Sequence, residues 1–201
     1  VAYKERIQKH LPSGLLAASM FLTGASGLIG EVLLGSVNSY LLGNSIQQMV
    51  TVFGLMMLMM GVGALLQYKI GDTNLIEEFI LLEVALAVLI GFAPITIYWA
   101  FGALAGSFVV IQYFFILGIG LLIGFEIPLV LRINERYIKT IGANFASTVS
   151  LDYIGAFVAA YAFVYIFIRH FPLYEISVMV AGGNLLVAVI TFWYFVHQKK
   201  V

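Results

Sequence analysis

Six times along its 201 residues the chain runs for roughly 20 residues with hardly a charge, and only short polar stretches separate the runs. A helix of about 20 residues is ~30 Å long, the thickness of a bilayer's hydrocarbon layer, where backbone must satisfy its own hydrogen bonds. The pattern predicts an all-α fold: a polytopic integral membrane bundle of six transmembrane helices over residues 13-37, 46-68, 75-98, 108-131, 144-168 and 173-196. Pro12 and Ser13 read as the start of the first span, Pro172 marks the break before the sixth, and Pro94 is expected to bend the third near its end. Pro128 falls one turn before the end of the fourth, where the carbonyl it frees needs a donor from a neighbouring helix or water. A composition 62% hydrophobic and 10% charged, with mean hydropathy +1.05, has too little polar surface to coat a soluble globule, so lipid is the expected partner. Residues 1-201 are read as a single transmembrane domain, and a chain that opens on Val1 is expected to be part of a longer product.

Orientation follows from the basic residues, which cytoplasmic loops retain. An inside N-terminus keeps Lys4, Arg6, Lys9, Lys69, Arg132, Arg136, Lys139, Lys199 and Lys200 in the cytoplasm and leaves only Arg169 outside. Both termini are therefore expected to be cytoplasmic, in a bacterial-type inner membrane or a plasma membrane. Tyr40, Tyr68, Tyr98, Trp99, Tyr137, Tyr174, Trp193 and Tyr194 lie near span ends, where amphipathic rings settle.

The two halves of the chain are faintly alike. Gly27–Glu31 parallels Leu122–Glu126 at an offset of 95 residues; Thr51-Val52 parallels Thr148-Val149 at 97, and Leu82–Ile90 parallels Gly183–Ile190 at 101. Three spans per half would insert the second copy upside down, the inverted-repeat plan of many secondary transporters.

Thr23-Gly24-Ala25-Ser26-Gly27-Leu28-Ile29-Gly30 imitates a dinucleotide fingerprint, but that motif needs a preceding strand and an acid about 20 residues on; the stretch Leu41–Val52 has no acid. Helix packing explains it better. Gly24, Gly27 and Gly30 form a smooth stripe for a neighbouring helix, and Gly120 with Gly124, like Gly102 with Gly106, repeats the small-xxx-small pattern.

Four acids, Glu31, Glu83, Glu126 and Asp152, fall inside the spans, where a charge costs roughly 2.5 to 3.5 kcal/mol at the bilayer centre. Asp152 shares a helical face with Thr148, Gly155 and Ala159, so small and polar groups line its side and would suit the border of a cavity. Arg132 is the nearest basic candidate for Glu126. Two readings stay open: the acids hold helices in register as hydrogen-bond donors, or two or more converge on a cavity for a proton, a cation or a polyamine. Glu77 and Glu78 belong to a helix N-terminus. With no cysteine and three scattered histidines (His10, His170, His197), the sequence offers no metal site and implies no cofactor; zero net charge gives no pull toward nucleic acid.

The stretches Ser26–Glu31, Ser39–Ser45, Gly61–Ala64, Leu82-Glu83, Gly124–Leu129 and Leu151–Ala156, in this order and spacing, resemble the membrane region of the membrane-bound spermidine synthase-like proteins. The resemblance covers about Phe21 to Ala160 and takes in all four acids. It implies a cytoplasmic aminopropyltransferase-type domain following the helices, in line with a cytoplasmic Val201. The motifs of that catalytic fold, which would hold the sulfonium cofactor and the amine, are absent from these residues, so no catalytic residue carries over and the chain is not expected to be an enzyme by itself. Gly30 also stands where the resemblance leads one to expect an aromatic residue.

The sequence thus supports a membrane domain that binds or transports a cationic small molecule, a polyamine or a proton, at Glu31, Glu126 and Asp152 with Glu83 as a fourth. The competing reading is a non-transporting anchor or assembly subunit for a cytoplasmic enzyme or a larger membrane complex. An intramembrane enzyme fits least, since no nucleophile and base stand at helical spacing. The glycine stripes leave self-association into an oligomer open.

Overall fold

The computed structural model describes residues 2–71, 74–104, 106, 108–135 and 140–198, with side chains between Gly14 and Phe195. Arg136, Tyr137, Lys139, Lys199, Lys200 and Val201 lie outside the described residues, as do the side chains of Lys4, Arg6, Lys9, His10, Pro12, Ser13 and His197. Everything regular among the described residues is helix. The elements are α1 (Ala2–Leu42), α2 (Ser45–Gln67), α3 (Leu75–Ala103), α4 (Phe108–Asn134), α5 (Ile141–Ala162), a π-helical turn (Phe163–Phe167), the short α6 (Ile168–His170) that continues it, and α7 (Leu173–Gln198). Six helical stretches are long and apolar enough to cross a membrane, α5 and α6 counting as one, which fits a membrane protein.

Helix and apolar run do not share their ends. α1 is helical from Ala2, so Pro12 and Ser13 fall inside it, and α3 continues past Pro94 to Ala103. Apolarity reports where lipid lies, whereas helical hydrogen bonding carries on into water. The turn between α1 and α2 is made by Gly43 and Asn44, both at positive φ (71° and 47°), and the Asn44 side chain accepts a hydrogen bond from the Gln47 amide to cap α2.

Three helix pairs make the most extensive contacts: α3 with α7, α1 with α5, and α2 with α4. Exchanging the two halves of the chain turns the α1·α5 seam into the α4·α2 seam and returns α3·α7 to itself. The correspondence reaches individual residues. A β-carbon at Gly24 of α1 would collide with the backbone of Asp152 on α5, and one at Gly155 of α5 with the backbone of Phe21 on α1. In the other seam a β-carbon at Gly124 of α4 would collide with the backbone of Met60 on α2, and one at Gly63 of α2 with the backbone of Leu121 on α4. Gly24 answers to Gly124 and Phe21 to Leu121, 100 residues apart; Gly155 answers to Gly63 and Asp152 to Met60, 92 residues apart.

The pairing is inverted, since Gly27 of α1 faces Ile123 of α4 while Gly30, one turn on, faces Ile119, so the two helices run in opposite directions. The offsets of 95 for the first helix of each half and 97 for the second, expected from the sequence, are therefore not the packing register of these seams, which is 100 and 92. Apolar letters match by chance at several offsets, while a carbonyl pressed against a missing side chain allows only one. Burial follows the same plan: 17% of the apolar stretch is buried in α2 and in α5, against 67% in α1 and 50% in α4, so the second helix of each half lies on the lipid side.

Candidate functional site

Glu83 stands two turns into α3 and is wholly buried; neither of its carboxyl oxygens has a protein hydrogen-bond partner. Glu126, on α4, is 2% exposed, and its Oε1 also lacks one. Buried polar atoms without partners are rare enough that each asks for an explanation. Glu126 lies within direct electrostatic reach of both Glu83 and Asp152, so three helices bring three carboxyls to one region. Asp152 is half-buried on α5, its Oδ1 2.7 Å from where a β-carbon of Gly24 would be. Glu31 is buried on α1, but it stands two turns beyond Gly24, about 10 Å along the axis, and is not among the charges that act on Glu126. The structure brings Glu83, Glu126 and Asp152 together and leaves Glu31 farther along the bundle.

Near this trio Pro128 lies inside α4 and removes the amide that would have bonded the Gly124 carbonyl, placing a freed acceptor one half-turn before Glu126. From the α4–α5 turn a polar column leads to Asp152. Asn144 Nδ2 donates to the Leu131 carbonyl (2.9 Å), Asn134 Nδ2 to Thr148 Oγ1 (3.4 Å), and Thr148 Oγ1 to Asn144 Oδ1 (3.4 Å). Thr148 lies one turn before Asp152 on the same helix. Asn134 and Asn144 escaped the sequence reading, because they sit at the span ends where polar residues are routine; their burial to 5% and 3% sets them apart. The face carrying Asp152, Gly155 and Ala159, expected to border a cavity, is filled by α1: Gly155 is the residue pressed on Phe21.

The other marked residues have structural places. Arg132, the sequence candidate for Glu126, donates to the Gln67 carbonyl (3.2 Å) and the Ile70 carbonyl (2.8 Å), capping the end of α2. Thr23 and Ser26 return their hydroxyls to the carbonyls of Met20 and Thr23 within a continuous α1, so the dinucleotide-like stretch is helix surface. Gly27 and Gly30 meet Ile123 and Ile90 at ordinary contact, and Gly120 lies against Met56 of α2. Gly102 and Gly106 meet nothing among the described residues; Gly106, at φ 93°, serves the α3–α4 turn. Glu77 and Glu78 occupy the first turn of α3.

Among the described residues no three acidic, histidine or cysteine groups come close enough to hold a metal ion.

No family model matches the chain, and no solved structure does. Curated proteins do. The chain is 28% identical over 183 residues to polyamine aminopropyltransferase 2 of Ralstonia nicotianae, covering 91% of this chain and 36% of that protein. It is 33% identical over 177 residues to polyamine aminopropyltransferase 2 of Aquifex aeolicus (88% and 35%) and 32% identical over 185 residues to the polyamine aminopropyltransferase of Oceanobacillus iheyensis (91% and 36%). The chain spans about a third of the length of these relatives, and it is homologous to that one region of the polyamine aminopropyltransferases, longer proteins of the spermidine synthase-like kind.

Proposed function

We propose that the chain is a membrane domain that binds a linear organic cation, a polyamine such as spermidine, among Glu83, Glu126 and Asp152, and passes it across or out of the membrane toward a cytoplasmic enzyme domain or subunit. The observation that carries this reading is the meeting of three carboxyls from three helices, two of them sealed from solvent with oxygens that no protein donor reaches. Ammonium groups supply both the charge and the donors that such oxygens lack. The freed Gly124 carbonyl adds an uncharged acceptor, and Glu31 offers a further carboxylate along the same bundle. The relatives, named for action on polyamines, support the choice of cation. In this proposal both termini and the α2–α3 and α4–α5 turns face the cytoplasm, and Arg169 faces outward, in keeping with the nine-to-one division of basic residues.

The test is equilibrium binding of spermidine to the detergent-purified chain beside Glu126→Gln, Glu83→Gln and Asp152→Asn. Saturable binding that weakens at least tenfold in the variants, about 1.4 kcal/mol, supports the site. A folded wild-type protein that binds no spermidine removes it.

One observation favours the second reading, an anchor or assembly role. Phe157 and Tyr161 of α5 lie tilted with centroids 5.0 Å apart, Tyr161 stacks on Tyr165 of the π-helical turn at 5.6 Å, and Arg169 lies over Tyr165. Exposed phenol-bearing rings on a lipid-side helix suit contact with another protein. That reading predicts a folded chain with no affinity for spermidine.

A further inference from the structure

Among the described residues, a cleft cuts into the bundle near each of its ends. The first, of about 260 Å³, opens between the end of α2, the start of α3 and α4; the second, of about 160 Å³, opens between α1, the π-helical turn and α7. They are counterparts in the inverted repeat. Leu122, Phe125 and Leu129 of α4 line the first where Leu22, Ala25 and Ile29 of α1 line the second, each pair 100 residues apart. This is also the offset that pairs Gly24 with Gly124, so two independent observations give one register.

Each cleft ends one residue from the buried acids or their equivalents. Leu82 and Phe125 of the first are the chain neighbours of Glu83 and Glu126, and Ser26 of the second occupies the position equivalent to Glu126. Each cleft is also lined by a buried amide without a partner: Gln67, 1% exposed, whose Nε2 is unpaired, and Asn184, 1% exposed, with both amide atoms unpaired. Glu78 adds a carboxyl to the first. Both volumes fall below the ~300 to 1,000 Å³ usual for small-molecule pockets, and the walls are otherwise aliphatic and aromatic, so a slim methylene chain with polar ends fits better than a ring system.

We infer that the two clefts are the two doors of one buried site: the α2–α3–α4 cleft admits a linear aliphatic amine at the cytoplasmic end, with Glu78 and Gln67 at its mouth, and the α1–α7 cleft opens the same interior to the outer side. The inference rests on the proposed cation site and on its orientation. Glu83 and Glu126 are sealed from both clefts in this structure, so passage requires the two halves to rock against each other, as symmetry-related halves do when only one door opens at a time.

The absence of any native cysteine makes the doors directly testable. In the full chain, in right-side-out and inside-out membrane vesicles, Ala85→Cys and Gly183→Cys are exposed to a membrane-impermeant maleimide. Leu81→Cys and Met179→Cys, at the more exposed rims, serve where the deeper pair folds poorly. Residues 81 and 85 are expected to label only from the cytoplasmic face and 179 and 183 only from the outer face. Spermidine at ten times its Kd leaves about a tenth of the protein unoccupied, so labelling slows about tenfold. Cysteines that react from neither face, or both from the same face, overturn the two doors. So does spermidine that binds the wild type yet leaves every labelling rate unchanged. A wild-type protein that binds no spermidine removes the cation site itself, and the doors with it.

Discussion

The α1·α5 and α2·α4 seams are built alike and filled differently. In each, a glycine of the half's first helix presses on the backbone of the facing second-type helix, and a glycine of that helix presses back three residues away. Close approach of backbones is what holds helices together where lipid is as apolar as any side chain. Yet the residue whose backbone meets Gly24 is Asp152, whereas the one that meets Gly124 is Met60. A methionine satisfies the same packing, so packing alone does not call for an acid. Likewise Glu126 has Ser26 as its packing equivalent. The repeat accounts for the architecture, and Asp152 and Glu126 are where the two halves depart from it.

The largest effect should come from the seams themselves. Gly155→Leu and Gly63→Leu each drive a side chain into a facing carbonyl, and both are expected to abolish the folded bundle, read as loss of a monodisperse peak in detergent. If one seam tolerates leucine while the other collapses, the two are not equivalent and the comparison fails. Next comes the exchange of the differing residues. Asp152→Met gives α5 the residue its counterpart carries; it should leave the unfolding midpoint near wild type and lower spermidine affinity at least tenfold, about 1.4 kcal/mol. A variant that binds as before would mean that Asp152 belongs to packing after all. A loss of stability, with affinity left unchanged, is expected at the end of α2. Arg132→Gln removes charged donors from the Gln67 and Ile70 carbonyls and should lower stability by about 1.5 to 3 kcal/mol in a denaturant titration.

How much of this was legible beforehand depended on the physical range of each signal. Apolarity is local and strong, so six helices and the four acids could be read from runs and interruptions alone. Helix ends could not, because α1 and α3 continue beyond the residues that lipid demands. The inverted repeat was visible only as a faint likeness, and at the two glycine seams in the wrong register, since the markers there are Gly24, Gly124, Gly63 and Gly155, whose role depends on which carbonyl faces them. For the acids, the chain shows that they are buried but not which of them meet. Glu31 and Glu126 share a similar local sequence, yet Glu126 faces Glu83 and Asp152 while Glu31 stands two turns away from Gly24. Asn134, Asn144 and Gln67 carried no pattern at all, and only their burial singles them out.

The smallest expected effect tests whether glycine spacing by itself means contact. Gly102 and Gly106 repeat the small-xxx-small spacing of Gly120 and Gly124, but nothing lies within 4 Å of a β-carbon at either. Gly102 is helical, near the end of α3, and exposed, so Gly102→Ala gains helix propensity and loses no neighbour. Interior glycine costs about 0.8 to 1.0 kcal/mol relative to alanine, and the gain in the last turn should be smaller, so stability is expected to stay level or rise slightly. Gly124→Ala, with the same spacing and the same added methyl, must displace Met60's backbone and should lose about 1 to 3 kcal/mol. Equal losses at both positions would show that Gly102 has a close partner in the folded protein, and that the contrast between open and pressed glycines does not hold.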